Sequence, residues 1–158
     1  MDVMIGIDPH KRSHTATMLD RRQRELRQIT VRAGSRQLVE LLAWANGTRR
    51  RTWAVECASG LGYLLAQQLV AAGETVVDVP ATLASRVRVL GTGQSTKTDP
   101  NDARSVAVAA LHAPGVTSQR SSGIVKRVSS LPTSSVAMPP WGTPERGSPR
   151  RSRPRRRR

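Results

Sequence analysis

Acidic residues are scarce in this sequence, cysteine is nearly absent, and no long apolar run occurs. Eleven Asp and Glu stand against 26 Lys and Arg, a formal net charge of +15. The single cysteine, Cys57, excludes an internal disulfide framework and fits a reducing compartment. No apolar stretch approaches the roughly 18 residues that span a bilayer. The N-terminus also lacks a charged segment followed by an apolar core, which argues against a secretory signal. The expectation is a soluble cytoplasmic protein without a membrane partner. Hydrophobic residues make up 37% of the 158, low for a chain that packs throughout, so part of it is expected to lie outside any core.

The basic excess is uneven. Residues 1–112 carry fifteen Lys/Arg and ten Asp/Glu, net +5, whereas residues 113–158 carry eleven and one, net +10. The second segment also holds seven of the ten prolines, many serines and a terminal "RRSRPRRRR". Such a segment buries too little apolar surface to offset an ordering entropy of roughly 1–2 kcal/mol per residue. The expected organisation is therefore a folded domain at 1–112 and a disordered Arg/Pro/Ser-rich tail at 113–158. The tail reads either as translation out of the original frame or as a basic arm that binds nucleic-acid phosphates.

Within 1–112 the periodicity alternates. "VMIGID" is a short apolar run stopped at Pro9, which predicts a buried strand ending at Asp8. "HTATMLD" and "ELRQITVR" complete a three-strand meander. "SRQLVELLAWANG" shifts to helical spacing, with Ser35 as cap, Leu38, Leu41, Leu42 and Ala45 on one face, and Gly47 at the end. A strand "TWAVECAS" follows, then a helix with Leu61, Leu64, Leu65, Leu69 and Ala72 inward, a strand "ETVVDVP" and a helix "ATLASRVRVLG". After the connector "GTGQSTKT", "DPNDARSVAVAALH" forms a last helix. This order predicts α/β layers around one mixed sheet whose first three strands are antiparallel.

In so basic a chain the acids of "KTDPNDARSVAVAAL" are notable. Pro100 fits the first helical position, making Asp99 the N-cap and Asp102 the third helical residue, both near the positive end of the helix dipole. Capping alone accounts for that pair. Asp8, however, ends the first strand, and Glu56 falls in the otherwise apolar "WAVECA", where a lone carboxylate is costly to bury. The structural alternatives are a turn role for Asp8 and, for Glu56, a salt bridge to Arg50 or Arg51 or a position at the strand's exposed end. Taken together, the four acids sit on elements that converge in such a fold, and convergent hard oxygen ligands suit Mg²⁺ or Mn²⁺ in phosphodiester chemistry.

"GIDPHKRSHTATMLD", "AVECASGLGYLLAQQL" and "STKTDPNDARSVA", in that order and spacing, resemble the N-terminal domain of DEDD-type insertion-sequence transposases, the Piv/MooV (IS-one-ten) family. The resemblance covers about residues 3–112. It implies a ribonuclease-H-like, RuvC-like fold, a mixed five-stranded sheet with flanking helices, and a divalent-metal site formed by Asp8, Glu56, Asp99 and Asp102 that acts on DNA strands. It further implies a guide RNA, a homo-oligomer associated with the bacterial nucleoid, and a C-terminal domain supplying a serine nucleophile, for which this sequence has no counterpart. Ser118, Ser121 and Ser122 do not stand in for it. On this reading the chain is truncated and need not be active alone.

Lys11, Arg12, Lys97 and Arg104 flank the acids, placed either to contact substrate phosphates or to offset local charge. His10 and His14 follow Asp8 and read as surface residues or as neighbours of the metal site. Cys57 reads as a small core residue on the strand face opposite Glu56. Three other functions fit parts of the pattern: a RuvC-type junction nuclease, a non-catalytic nucleic-acid binder acting through the tail, and a sugar-kinase or actin-like ATPase. The last lacks a glycine-rich phosphate loop after Asp8 and leaves "TDPND" unexplained.

Overall fold

A computed structural model of the chain describes residues 2–48, 50–92, 99–113 and 126–127. Apart from Lys126 and Arg127, the stretch read as a disordered tail lies outside these residues beyond Ala113, as does Lys97. The elements run β1 (Asp2–Pro9), β2 (Ser13–Asp20), β3 (Glu25–Arg32), α1 (Gln37–Trp44), β4 (Arg50–Glu56), α2 (Tyr63–Ala71), β5 (Thr75–Val79), α3 (Ala81–Thr92), α4 (Asp99–His112) and β6 (Lys126–Arg127). The sheet order is β3-β2-β1-β4-β5-β6. The β1–β2 and β2–β3 pairs are antiparallel, and β1–β4, β4–β5 and β5–β6 are parallel. The five expected strands are thus present in a mixed sheet, joined at one edge by the two-residue β6.

The meander closes tightly because Asp20 accepts hydrogen bonds from the backbone N–H groups of Arg22 and Arg24 and from Arg24 Nε. Gln23 takes a left-handed φ of 62° in that turn. Contrary to expectation, the β1–β2 ladder continues one residue past Asp8, with Pro9 opposite His14. The parallel ladder to β4 has ended at Ile7–Val55, so the missing N–H of Pro9 removes no bond there.

Side chains alternate across the strands and build two cores. Val3, Ile5, Ile7, Trp53 and Val55 face α1 and α2, meeting Leu41, Leu65 and Leu69. Met4, Ala54, Val77 and Val79 face α3 and α4, meeting Leu83, Val106 and Ala110. Full burial of Ile5 or Ile7 contributes about 1.5–3 kcal/mol each, and both are wholly inaccessible.

One helix start and one helix face differ from the sequence reading. Ser35 does not cap α1, which starts after Arg36 without a side-chain cap. In α2 the inward face is Leu65, Ala66 and Leu69, while Leu61 and Leu64 are 53% and 63% exposed. The helix begins only at Tyr63, so Leu61 belongs to the preceding turn and the i, i+4 stripe is set by Leu65 and Leu69.

Helix α4 packs on β1 and β2 through a close approach at Gly6. A Cβ on Gly6 would lie 2.5 Å from Ala107 N and 2.8 Å from Ala107 Cβ, and would collide with the Ala103 carbonyl. Glycine below and alanines above let the helix backbone settle on the strand. That contact fixes where the first turn of α4 stands relative to the end of β1.

Candidate active site

The β1–β4 register carries Ile7 opposite Val55 as its last pair, so Asp8 and Glu56 follow side by side at the carboxyl ends of adjacent parallel strands. Gly6 and Ala54, two residues earlier, both face the α3/α4 side, and strand alternation puts Asp8 and Glu56 on that side too. Asp102 immediately precedes Ala103, whose carbonyl lies over Gly6, and this brings it down onto the same strand ends. Asp8 and Asp102 are 7% and 4% exposed. The outer ends of parallel strands are where open α/β sheets bind ligands.

Electrostatics record the convergence. Burial pushes the Glu56 carboxyl up to about 7, reinforced by the Asp8 charge, by a side-chain hydrogen bond with Asp8 and by the Asp102 charge, with Arg88 opposing. At neutral pH Glu56 therefore keeps much of its proton and donates it toward the Asp8 carboxylate. Asp8 also has His10 Nδ1 3.5 Å from its Oδ2, and Asp102 accepts an ion-pair hydrogen bond from Arg88 Nη1. The salt-bridge alternative for Glu56 does not hold, since Arg51 binds both oxygens of Glu74, which also accepts from Trp53 Nε1 at 2.7 Å, and Arg50 lies by Asp2. Its other alternative, a place at the strand end, agrees with Glu56 closing β4 half-buried.

The backbone beyond Glu56 is tied to β5. Cys57 donates its N–H to the Val79 carbonyl at 3.0 Å, and Ala58 donates its N–H to the buried Asp78 Oδ1 at 2.8 Å. Cys57 itself sits at φ 48°. It is thus a left-handed turn residue and not the core residue expected, because the chain must turn sharply off the strand end. Gly60 and Gly62 donate to its carbonyl, and a Cβ on Gly62 would stand 2.6 Å from Val55 Cγ1 and 2.8 Å from the Glu56 carbonyl.

The remaining sequence candidates scatter. Lys11 and Arg12 are exposed in the β1–β2 turn beside Asp8. Arg104 Nη2 donates to the Gln23 carbonyl at 3.1 Å, in the β2–β3 turn at the far end of the hairpin from Asp8. Lys97 lies outside the described residues. Asp99 is the first residue of α4, one position further into the helix than the N-cap expected, and its side chain lies outside the described residues. His14 is not a surface residue, and the charge of Asp8 reaches it. It is buried beneath α1, with Nε2 3.0 Å from Gln37 Oε1, and Gln37 in turn donates to Gln68. Burial lowers its pKa.

Sequence reasoning missed Gly6, Asp78 and Arg88. Each carried a signal: a glycine inside an apolar strand, an acid inside "TVVDV", and an arginine between valines in "VRV".

The donor set is all hard carboxylate oxygen, which fits Mg²⁺ or Mn²⁺, and the retained Glu56 proton marks a repulsion that a cation relieves. Among the described residues no group of three His, Cys, Asp or Glu is arranged to hold a metal ion; Asp102 is engaged by Arg88 instead.

A family model of DEDD-type transposases of the IS110 group, described as Transposase, matches residues 5–131. The chain belongs to this transposase family. It is 32% identical over 105 residues to the uncharacterized 44.8 kDa protein of insertion element IS116 from Streptomyces clavuligerus. That alignment takes in 66% of this chain and 26% of the relative, so the chain spans about a quarter of the relative's length. Two structures of RuvC from Thermus thermophilus are similar, one of them in complex with a Holliday junction substrate. Their TM-scores are 0.51 and 0.50 at 15% identity, over 70% and 71% of this chain and 94% of each RuvC chain. The fold is RuvC-like. No helix among the described residues is long and apolar enough to cross a membrane.

Proposed function

We propose that this domain carries the acidic centre of a DNA strand-transfer enzyme, in which Asp8, Glu56, Asp99 and Asp102 hold Mg²⁺ or Mn²⁺ against a scissile phosphate. The convergence of Asp8, Glu56 and Asp102, registered in the raised pKa of Glu56, is the observation that carries this reading. Bound there, a divalent ion supplies charge neutralisation at the phosphate and activation of the attacking oxygen. The chain's own groups do the rest. Asp8 and Glu56 are fixed by adjacent strand ends, Asp102 by the seat of α4 on Gly6, and Lys11 and Arg12 stand exposed beside Asp8 to meet the DNA backbone. Glu56, titrating near neutrality, holds a proton that it must surrender as the centre loads.

The activity of a whole transposase calls for more than this domain. The serine nucleophile, a guide RNA and an oligomeric partner belong to that larger assembly, and the excess of basic residues in 113–158 adds sequence-independent DNA affinity. The test is Mg²⁺-dependent nicking of element-end DNA by the chain supplied with a serine domain. Asp102→Asn is expected to remove cleavage while leaving DNA retention intact, with folding checked by circular dichroism. Cleavage that survives the substitution overturns the site. A RuvC-type junction nuclease, suggested by the fold, is separated by its cutting of four-way junctions without RNA.

A further inference from the structure

Arg88 is a half-buried cation that the proposed chemistry does not use. It is the eighth residue of α3, and its side chain is only 19% exposed. By contrast, the arginines paired with Asp2 and Asp20 are 66% exposed. Arg88 Nη1 donates to Asp102 Oδ1, and Nη2 lies 3.4 Å from Ser85 Oγ one turn earlier. The packing of α3 on α4 brings it there. Its charge also reaches Glu56, where it works against the proton-retaining effect of Asp8 and Asp102. A guanidinium taken this far from water requires a compensating anion, and the acidic centre supplies it. The converse also holds, since Asp102 is buried and Arg88 is the counter-charge the structure gives it.

We propose that Arg88 is the internal counter-ion of the acidic centre: it neutralises Asp102 in the metal-free protein and yields that carboxylate when a divalent cation binds. Arg88 then sets the metal affinity through competition for one ligand, as a positioning residue and not a catalytic one. The inference rests on the reading of Asp8, Glu56 and Asp102 as metal ligands. It explains why convergent acids coexist in a folded chain before metal arrives, and why Asp102 points to a cation from another helix.

Mn²⁺ binding to the full chain, followed by electron paramagnetic resonance at pH 7.5, tests it in wild type, Arg88→Gln and Arg88→Lys. Removal of the competing charge is expected to tighten Mn²⁺ binding about tenfold or more in Arg88→Gln, with Arg88→Lys close to wild type. Equal or weaker binding by a folded Arg88→Gln, beside measurable binding by wild type, overturns the inference and leaves the ligand assignment standing. Absence of binding in both overturns the ligand assignment and the inference with it. Should Arg88→Gln not fold, the wild-type Arg88 Nη1–H signal in a ¹⁵N-arginine sample decides, since Nη1 donates to Asp102: Mg²⁺ saturation is expected to open it to fast solvent exchange. Unchanged protection with Mg²⁺ bound overturns the competition.

Discussion

Glu56 carries a pH-dependent cost in the metal-free protein, and Glu56→Gln isolates it. In the unfolded chain the carboxyl releases its proton at the ordinary 4.5, whereas the folded chain holds it to about 7. Below about pH 4.5 both states are protonated and the group does not affect stability. Between 4.5 and 7 the folded state binds more protons, so stability falls as pH rises, and above 7 the whole penalty remains. That interval corresponds to about 3 kcal/mol at full strength. Glu56 is only half-buried, and solvent screening brings the realisable penalty to about 1–2 kcal/mol. Glutamine keeps an N–H donor for Asp8 and carries no charge. Thermal melts in EDTA should therefore place Glu56→Gln level with wild type at pH 4.5 and above it by about 5–10 °C at pH 8, given roughly 4–8 °C per kcal/mol for a domain of this size. A difference that is flat across this range, or a variant less stable at pH 8, refutes the convergence of the three acids.

Two further substitutions probe how the site is positioned. Gly6→Ala forces a methyl into the Ala103–Ala107 backbone and is expected to cost about 1–3 kcal/mol in urea denaturation, with Mg²⁺ affinity falling as α4 lifts Asp102 away; unchanged stability and affinity contradict the contact. Asp78→Ala leaves the Ala58 N–H without its acceptor. A loss of about 1–3 kcal/mol is expected, along with faster amide exchange at Cys57 and Ala58, and protection retained at both would show that the turn is held by other means.

Most of the architecture was legible because strand and helix periods differ sharply in residues 1–112, and the sheet needs little beyond that alternation. Helix boundaries were less so: Ser35 looks like a cap and Leu61 like a core residue, but which turn of α1 or α2 meets the sheet is decided by packing against Leu41, Leu65 and Leu69. Asp8, Glu56 and Asp102 were readable as a set through the motif spacing and the cost of placing an acid in "WAVECA". Their supports were not. The seat at Gly6 depends on a helix about a hundred residues away in sequence, Asp78 acts on a turn twenty residues upstream, and Arg88 finds Asp102 only because α3 and α4 pack together. Arg104, near the acids in sequence, reaches instead to the β2–β3 turn, since neighbours along a helix point in different directions.

The most direct test of the central claim is calorimetric titration of Mg²⁺ into the wild-type chain and into an Asp8→Asn/Asp102→Asn double variant, each checked for folding. Saturable binding with a raised melting temperature in wild type, absent from the double variant, is the predicted result. A folded wild type indifferent to Mg²⁺ and Mn²⁺, or a double variant that binds equally well, would contradict a metal centre at these strand ends and return Asp102 to a helix residue paired with Arg88.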